Sequence, residues 1–152
     1  MITAGIALGS NVGNGEAHIQ TAIAALDQAV AITARAPIFE TEPVGMAAHT
    51  PVFMNTAVAI ETEMPPLELL RHVQAIEVAM GQAVCKHNAN RIIDLDIIFY
   101  GDWVIHDPNL TIPHPRFRTR RFVLAPLVHI APDWVDPVSG QSVQALFEAL
   151  AA

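Results

Sequence analysis

Two aspartates separated by one leucine, Asp94-Leu95-Asp96, lie inside the apolar, β-branched run Arg91-Ile92-Ile93-Asp94-Leu95-Asp96-Ile97-Ile98-Phe99-Tyr100, which closes on Gly101. Such a run reads as a buried strand. Side chains alternate across a strand, so Asp94 and Asp96 share one face and Leu95 takes the other. Ionised carboxylates placed together on a core strand repel each other and give up hydration. That state is tolerable only beside cations, good hydrogen bonds or a wet cleft. Oxygen donors held this rigidly suit Mg²⁺, which is commonly bound by one or two carboxylates together with substrate phosphates. The alternative is a strand whose polar face simply meets solvent.

Three other groups have residue types suited to chemistry. Arg116, Arg118, Arg120 and Arg121 follow the extended segment Leu110-Thr111-Ile112-Pro113-His114-Pro115, and arginine's planar fork suits phosphate. Phe53 and Asn55 share one face of a strand expected over 52–62. A ring beside an amide can sandwich a flat heterocycle and bond its edge, or can be no more than core plus turn. Gln74 and Glu77, three apart beside a helical stripe, lie next to a ligand or are ordinary solvated positions. The turn Gly9-Ser10-Asn11, continued by Gly13-Asn14-Gly15, contains no GxxxxGK[ST] and is not a P-loop; it is either a structural turn or a phosphate cradle.

The elements that must position these groups follow from periodicity. A strand is expected over 2–8, then a helix over 15–32 from the spacing of Ile19, Ala22, Ile23, Leu26 and Val30. Strands over 36–41 and 52–62 flank a Pro/Gly-punctuated loop. Pro65 and Pro66 open a second helix with the buried stripe Leu69, Val73, Ile76 and Met80, ended by Gly81 in a left-handed cap. A surface loop over 82–90 leads to the Asp-Leu-Asp strand. Trp103-Val104-Ile105 is a short return strand, Pro126 opens a short helix, and Val143, Leu146, Phe147 and Leu150 mark a terminal one. The order β-α-β-β-α-β predicts an α+β, ferredoxin-like fold: an antiparallel sheet with both main helices on one face and C-terminal additions, residues 1–152 forming one domain. Fold alone does not choose an activity.

Composition narrows the choice. The chain has 152 residues, 52% hydrophobic and 15% charged, enough to bury a real core. No apolar run approaches the ~20 residues of a membrane span, and the N-terminus lacks the basic start of a secretory signal. The single Cys85 permits no internal disulfide, which is compatible with a reducing cytoplasm. The histidines show no metal-ligand spacing, so no zinc site is expected. The net charge of −7 is uneven: six basic and four acidic residues lie between Lys86 and Arg121 (+2), against two basic and eleven acidic elsewhere (−9). An acidic shell argues against nucleic acid. A local basic cluster beside two aspartates suits a small, highly anionic ligand carried with a metal, such as a nucleotide.

Taken together, Gly9-Ser10-Asn11, Phe53-Met54-Asn55, Arg91-x-x-Asp94-Leu95-Asp96, Pro113-His114-Pro115-Arg116 and Arg120-Arg121-Phe122-Val123-Leu124, in this order across nearly the whole chain, resemble the 6-hydroxymethyl-7,8-dihydropterin pyrophosphokinase family of folate biosynthesis. The resemblance implies transfer of the β,γ-pyrophosphoryl group of ATP to the pterin hydroxymethyl oxygen, with release of AMP. It implies that Asp94 and Asp96 hold two Mg²⁺ ions and that Arg91 and Arg120 steady the phosphates. Gln74, Glu77, Ile97, Thr111 and His114 would complete the nucleotide site. Phe53 and Phe122 would stack on the pterin, and Asn55 would read its edge with Thr41, Pro43, Val44 and Gly45. The protein would be a cytoplasmic monomer acting on ATP and 6-hydroxymethyl-7,8-dihydropterin, without a nucleic-acid or membrane partner. The departures lie in one loop. Family members usually follow Gly81 with arginine and often carry another basic residue two positions on, where this chain has Gln82 and Val84. A divergent paralogue that binds pterin or nucleotide with little transfer, and a ferredoxin-like regulatory module, therefore stand as alternatives.

Overall fold

Alternation along strand β1 (Ile2–Ser10) separates the molecule into layers. Ala4, Ile6 and Leu8 point to one side of the sheet and Gly5, Ala7 and Gly9 to the other. The computed structural model describes residues 1–11, 13–41, 53–81 and 92–151. After β1 come α1 (Gly15–Asp27), β2 (Ala31–Arg35), β3 (Phe39–Thr41), β4 (Phe53–Thr62), α2 (Pro66–Ala79) and β5 (Asp94–Tyr100). The hairpin β6 (Ile105–Asp107) and β7 (Leu110–Ile112), a 3₁₀ turn (Phe117–Thr119), α3 (Arg121–Ile130) and α4 (Val143–Ala151) complete the chain.

The main sheet runs β2-β4-β1-β5, with β3 also on β4 and every pairing antiparallel. This is the ferredoxin-like α+β arrangement with its second strand broken in two. Helices α1 and α2 lay Ile19, Ile23, Leu26, Leu69, Val73 and Ile76 on the face formed by Ile6, Leu8, Val58, Ile60, Leu95 and Ile97. Helices α3 and α4 cover the opposite face, where Val123, Leu124, Leu127, Val143 and Leu146 meet Ala57, Ile98 and Phe99. Each large aliphatic or aromatic side chain so buried contributes about 1.5–3 kcal/mol. No helix among the described residues is long and apolar enough to cross a membrane.

Several elements differ from expectation. The second strand, expected over 36–41, is instead β2 and β3, because Pro37 has no N–H to continue the ladder. The Thr56 hydroxyl bridges the break by donating to the carbonyls of Ala36 (3.0 Å) and Pro37 (3.1 Å). Helix α1 stops at Asp27, and Val30 reaches the core from the turn beyond it. The return strand begins at Ile105, not at Trp103. Pro126 lies inside α3 instead of opening a helix; the buried stripe Val123, Leu124 and Leu127 outweighs one missing amide donor. Gly81, at φ +100°, ends α2 in the left-handed conformation expected of it.

Candidate active site

The strand register brings the chemical groups together. Gly9 pairs with Asn55 on one side and Asp94 on the other, and Ala7 pairs with Ala57 and Asp96. Two parallel rows therefore cross the sheet, Asn55–Gly9–Asp94 and Ala57–Ala7–Asp96, all on the face away from α1 and α2. Asp94 and Asp96 are half-buried at the N-terminal end of β5 and not in its middle, about 6.6 Å apart along the strand. A cleft of about 140 Å³ opens over these rows, lined by Phe53, Asn55, Asp94, Asp96, Arg120 and Phe122 over a floor of Ala7, Leu8 and Gly9, with Val123 behind.

Asn55 is buried, and its amide Nδ2 donates to Thr41 Oγ1 at 2.8 Å. Its free edge is therefore fixed by a partner on β3. Phe53 stands half-buried at the end of β4, and Phe122, 41% exposed, projects from the first turn of α3. The Arg120 guanidinium lies 5.5 Å from the Phe122 ring centre, a cation–π distance. The sequence cluster of arginines divides by task. Arg120 lines the cleft, Arg118 bonds to Asp136, Arg121 lies 5.0 Å from the Phe147 ring centre, and Arg116 is exposed.

Beyond Arg120, the described residues expected at a nucleotide site lie outside the cleft lining, on α2, on β5, and on or just after β7. Glu77 is buried, and its carboxylate accepts the Leu95 N–H at 2.8 Å, satisfying the backbone of edge strand β5 between the two aspartates. Gln74 is exposed on α2. The Ile97 side chain lies in the core beneath α1 and α2, on the face opposite the aspartates. Thr111 is half-buried in β7. His114 donates its backbone N–H to the carbonyl of Ile98 (2.9 Å), the bulged residue of β5. Its Nδ1 accepts the Arg116 N–H at 3.1 Å. Burial, and then the positive charges of Arg120 and Arg116, push the His114 imidazole down to about 4. It is therefore neutral at physiological pH with its proton on Nε2, a fixed donor.

The glycine-rich turn after β1 is built structurally. Asn14 caps α1 through the Ala17 N–H (3.1 Å), and the Ser10 hydroxyl donates to the Ile92 carbonyl (2.6 Å), fixing the approach to β5. Ala7 and Leu8 line the cleft without having been singled out from sequence, and Gly9 and Val123 entered only as parts of motifs; the signal for the floor was the run of small residues on one face of β1. Arg91, Pro43, Val44, Gly45, Gln82, Val84 and Lys86 lie outside the described residues. Among the described residues no group of three or more His, Cys, Asp and Glu forms a metal cluster.

A family model described as 7,8-dihydro-6-hydroxymethylpterin-pyrophosphokinase (HPPK) matches residues 5–132. The chain is 43% identical over 127 residues to the 2-amino-4-hydroxy-6-hydroxymethyldihydropteridine pyrophosphokinase of Bacillus subtilis, covering 82% of this chain and 75% of that one. It is 38% identical over 143 residues to the Synechocystis protein of the same name, covering 94% and 73%. It is also 39% identical over 147 residues to the folic acid synthesis protein fol1 of Schizosaccharomyces pombe, where 95% of this chain spans only 20% of the fungal one. In overall fold it superposes on the crystal structure of wild-type Plasmodium falciparum HPPK-DHPS with a TM-score of 0.80 at 17% identity, covering 97% of this chain and 41% of the other. The chain belongs to the 7,8-dihydro-6-hydroxymethylpterin pyrophosphokinase family.

Proposed function

We propose that this protein is a Mg²⁺-dependent enzyme that transfers diphosphate from ATP to the hydroxymethyl group of 6-hydroxymethyl-7,8-dihydropterin, acting as a cytoplasmic monomer. The row Asn55–Gly9–Asp94 carries the proposal. It sets a hydrogen-bonding amide and a carboxylate two strand spacings apart, about 10 Å, across a floor without side-chain bulk. That span suits a bicyclic ring whose edge meets Asn55 and whose hydroxymethyl end reaches the carboxylates. Phe53 and Phe122 supply apolar ring faces in the same cleft.

In the reaction, a bond forms from the pterin hydroxymethyl oxygen to the β-phosphorus. The bond from that phosphorus to the α,β-bridging oxygen breaks, AMP departs with the oxygen, and the hydroxyl proton is released. The donor set fits a hard cation, since two carboxylates share one face and open on the cleft. Asp94 and Asp96 would hold Mg²⁺, which supplies neutralisation of the charge on the phosphoryl oxygens. Arg120 presents a permanent cation to the same oxygens, and the neutral His114 offers a donor without adding charge. Glu77 keeps the β5 backbone registered between the two carboxylates.

The test is phosphorus NMR on purified protein with ATP, Mg²⁺ and the pterin alcohol. Appearance of AMP with pterin diphosphate is the expected result; neither product and no binding of either ligand would refute the assignment. Gln82 and Val84 favour a second reading, a paralogue that binds both ligands with little transfer. Binding without AMP supports that reading, and Gln82→Arg should then raise the single-turnover rate.

A further inference from the structure

Arg118 turns away from the cleft. Its Nε donates to Asp136 Oδ2 at 2.5 Å and its Nη2 to Oδ1 at 3.0 Å, a two-pronged bond. Asp136 is fully buried and also accepts the N–H groups of Val138 (3.0 Å) and Ser139 (3.3 Å). Enclosing an ion pair costs desolvation that an apolar pair of similar volume avoids. The location of this pair points to a different role.

Arg118 is the central residue of the 3₁₀ turn, which is capped by Arg116 and Arg120 and whose backbone bonds run from the His114 carbonyl to the Arg120 N–H. The turn holds itself weakly. Phe117 N to His114 O is 3.4 Å and Arg120 N to Phe117 O is 3.3 Å, both beyond the usual 2.7–3.2 Å. External anchors therefore hold it: the His114 N–H is bonded to Ile98 O of β5 (2.9 Å), the Arg120 carbonyl caps α3 by accepting the Val123 and Leu124 N–H groups (3.0 Å each), Phe117 is buried, and Arg118 pins the middle. The socket around Asp136 is firm: the Asp136 N–H donates to Gln141 O (2.9 Å) and the Gly140 N–H to Asp136 O (2.8 Å). Two residues earlier, Trp134 stacks on Phe99 with ring centres 4.4 Å apart and donates Nε1–H to Gly101 O at 2.9 Å. The socket is thus fixed to the far end of β5, the strand that carries Asp94 and Asp96.

We propose that Arg118 and Asp136 are a positioning pair: they lock the 3₁₀ turn to β5 and so fix Arg120 relative to the two aspartates, beside a His114 that β5 already holds through its own backbone bond. Neither residue of the pair lines the cleft. The kinetic consequence rests on the transferase reading above, whereas the structural one does not.

The test uses Arg118→Met with Asp136→Asn, a neutral pair of similar volume that leaves no buried charge, and Arg118→Lys as the conservative variant. Amide exchange is followed at His114 and Arg120 and, for comparison, along the central strand β1. Protection at Arg120 is expected to fall about tenfold in the double variant with β1 unchanged, and less in Arg118→Lys. Under saturating substrates kcat should drop by about tenfold to a hundredfold, with KM for the pterin within about twofold. Unchanged Arg120 protection overturns the proposal, as does a loss shared equally by β1, which would mark a purely structural ion pair. Unchanged kcat in a variant that has lost Arg120 protection also overturns it. Should the double variant not fold, Arg118→Lys carries the same comparison. Should the wild-type protein form no AMP, the transferase reading fails while the exchange measurement still decides the pair.

Discussion

Gly9→Ala is the most direct probe of the cleft floor. A Cβ at this position would stand 3.0 Å from Asn55 Oδ1 and 3.7 Å from the Met54 carbonyl. The Asn55 amide must therefore yield by a few tenths of an ångström, yet its Nδ2 is held on the other side by Thr41 Oγ1 at 2.8 Å. Yielding lengthens a part-buried hydrogen bond worth about 0.5–1.5 kcal/mol. The new methyl also raises a floor beneath a cleft of only about 140 Å³. Together these give about 1–2 kcal/mol, or about 5- to 30-fold weaker pterin binding. Affinity for an unreactive ATP analogue with Mg²⁺ should stay within about twofold, because the nucleotide groups are untouched. Titration calorimetry with each ligand, beside a thermal melt by circular dichroism, makes the comparison. Unaltered pterin affinity would refute the floor argument, and so would equal weakening of both ligands.

Three other perturbations test separate parts of the site. Asp96→Asn keeps shape while removing charge, and turnover by phosphorus NMR should fall about 10²- to 10³-fold with the circular dichroism spectrum unchanged; a rate near wild type would rule out the assigned role. Glu77→Ala strips the acceptor from the buried Leu95 N–H, so urea denaturation should show a loss of about 1–3 kcal/mol. His114 is held near 4 by burial and by Arg120 and Arg116, so between about 6.5 and 4 the unfolded chain takes up a proton that the folded chain refuses. Its contribution to stability is therefore flat above pH 6.5 and declines as pH falls through that window; in His114→Gln that part of the decline should vanish from the stability–pH curve.

How much of this was readable in the sequence depends on the range of the interaction. Period-two alternation placed Asp94 with Asp96, and Phe53 with Asn55, because that geometry is local to a strand. The α+β order followed from equally local helix and strand periods. The split of the second strand was misread because Ala31-Ile32-Thr33-Ala34-Arg35 is a partly exposed edge with little apolar contrast, and its pairing with β4 is what makes it a strand. The family motif singled out Arg120, but the tasks of Arg118 and Arg121 were not readable. Arg118 and Asp136 are 18 positions apart, and nothing near Arg118 marks it as the partner of a distant aspartate. The Glu77–Leu95 bond spans the same 18 positions. Such pairings emerge only once the chain closes on itself.

The two sides of the central sheet were built to opposite specifications. On β1 and β4 the side under α1 and α2 carries Ile6, Leu8, Val58 and Ile60, while the reverse carries Gly5, Ala7, Gly9, Ala57 and Ala59. A saturation scan of these strands should thus divide by parity of position. Trimming methyls is the injury on one side, where it opens voids, and adding them is the injury on the other, where Phe99 already occupies the space over Gly5, α3 packs on Ala57, and the cleft lies over Ala7 and Gly9. A substitution table that ignored this alternation would average two contrary rules into none.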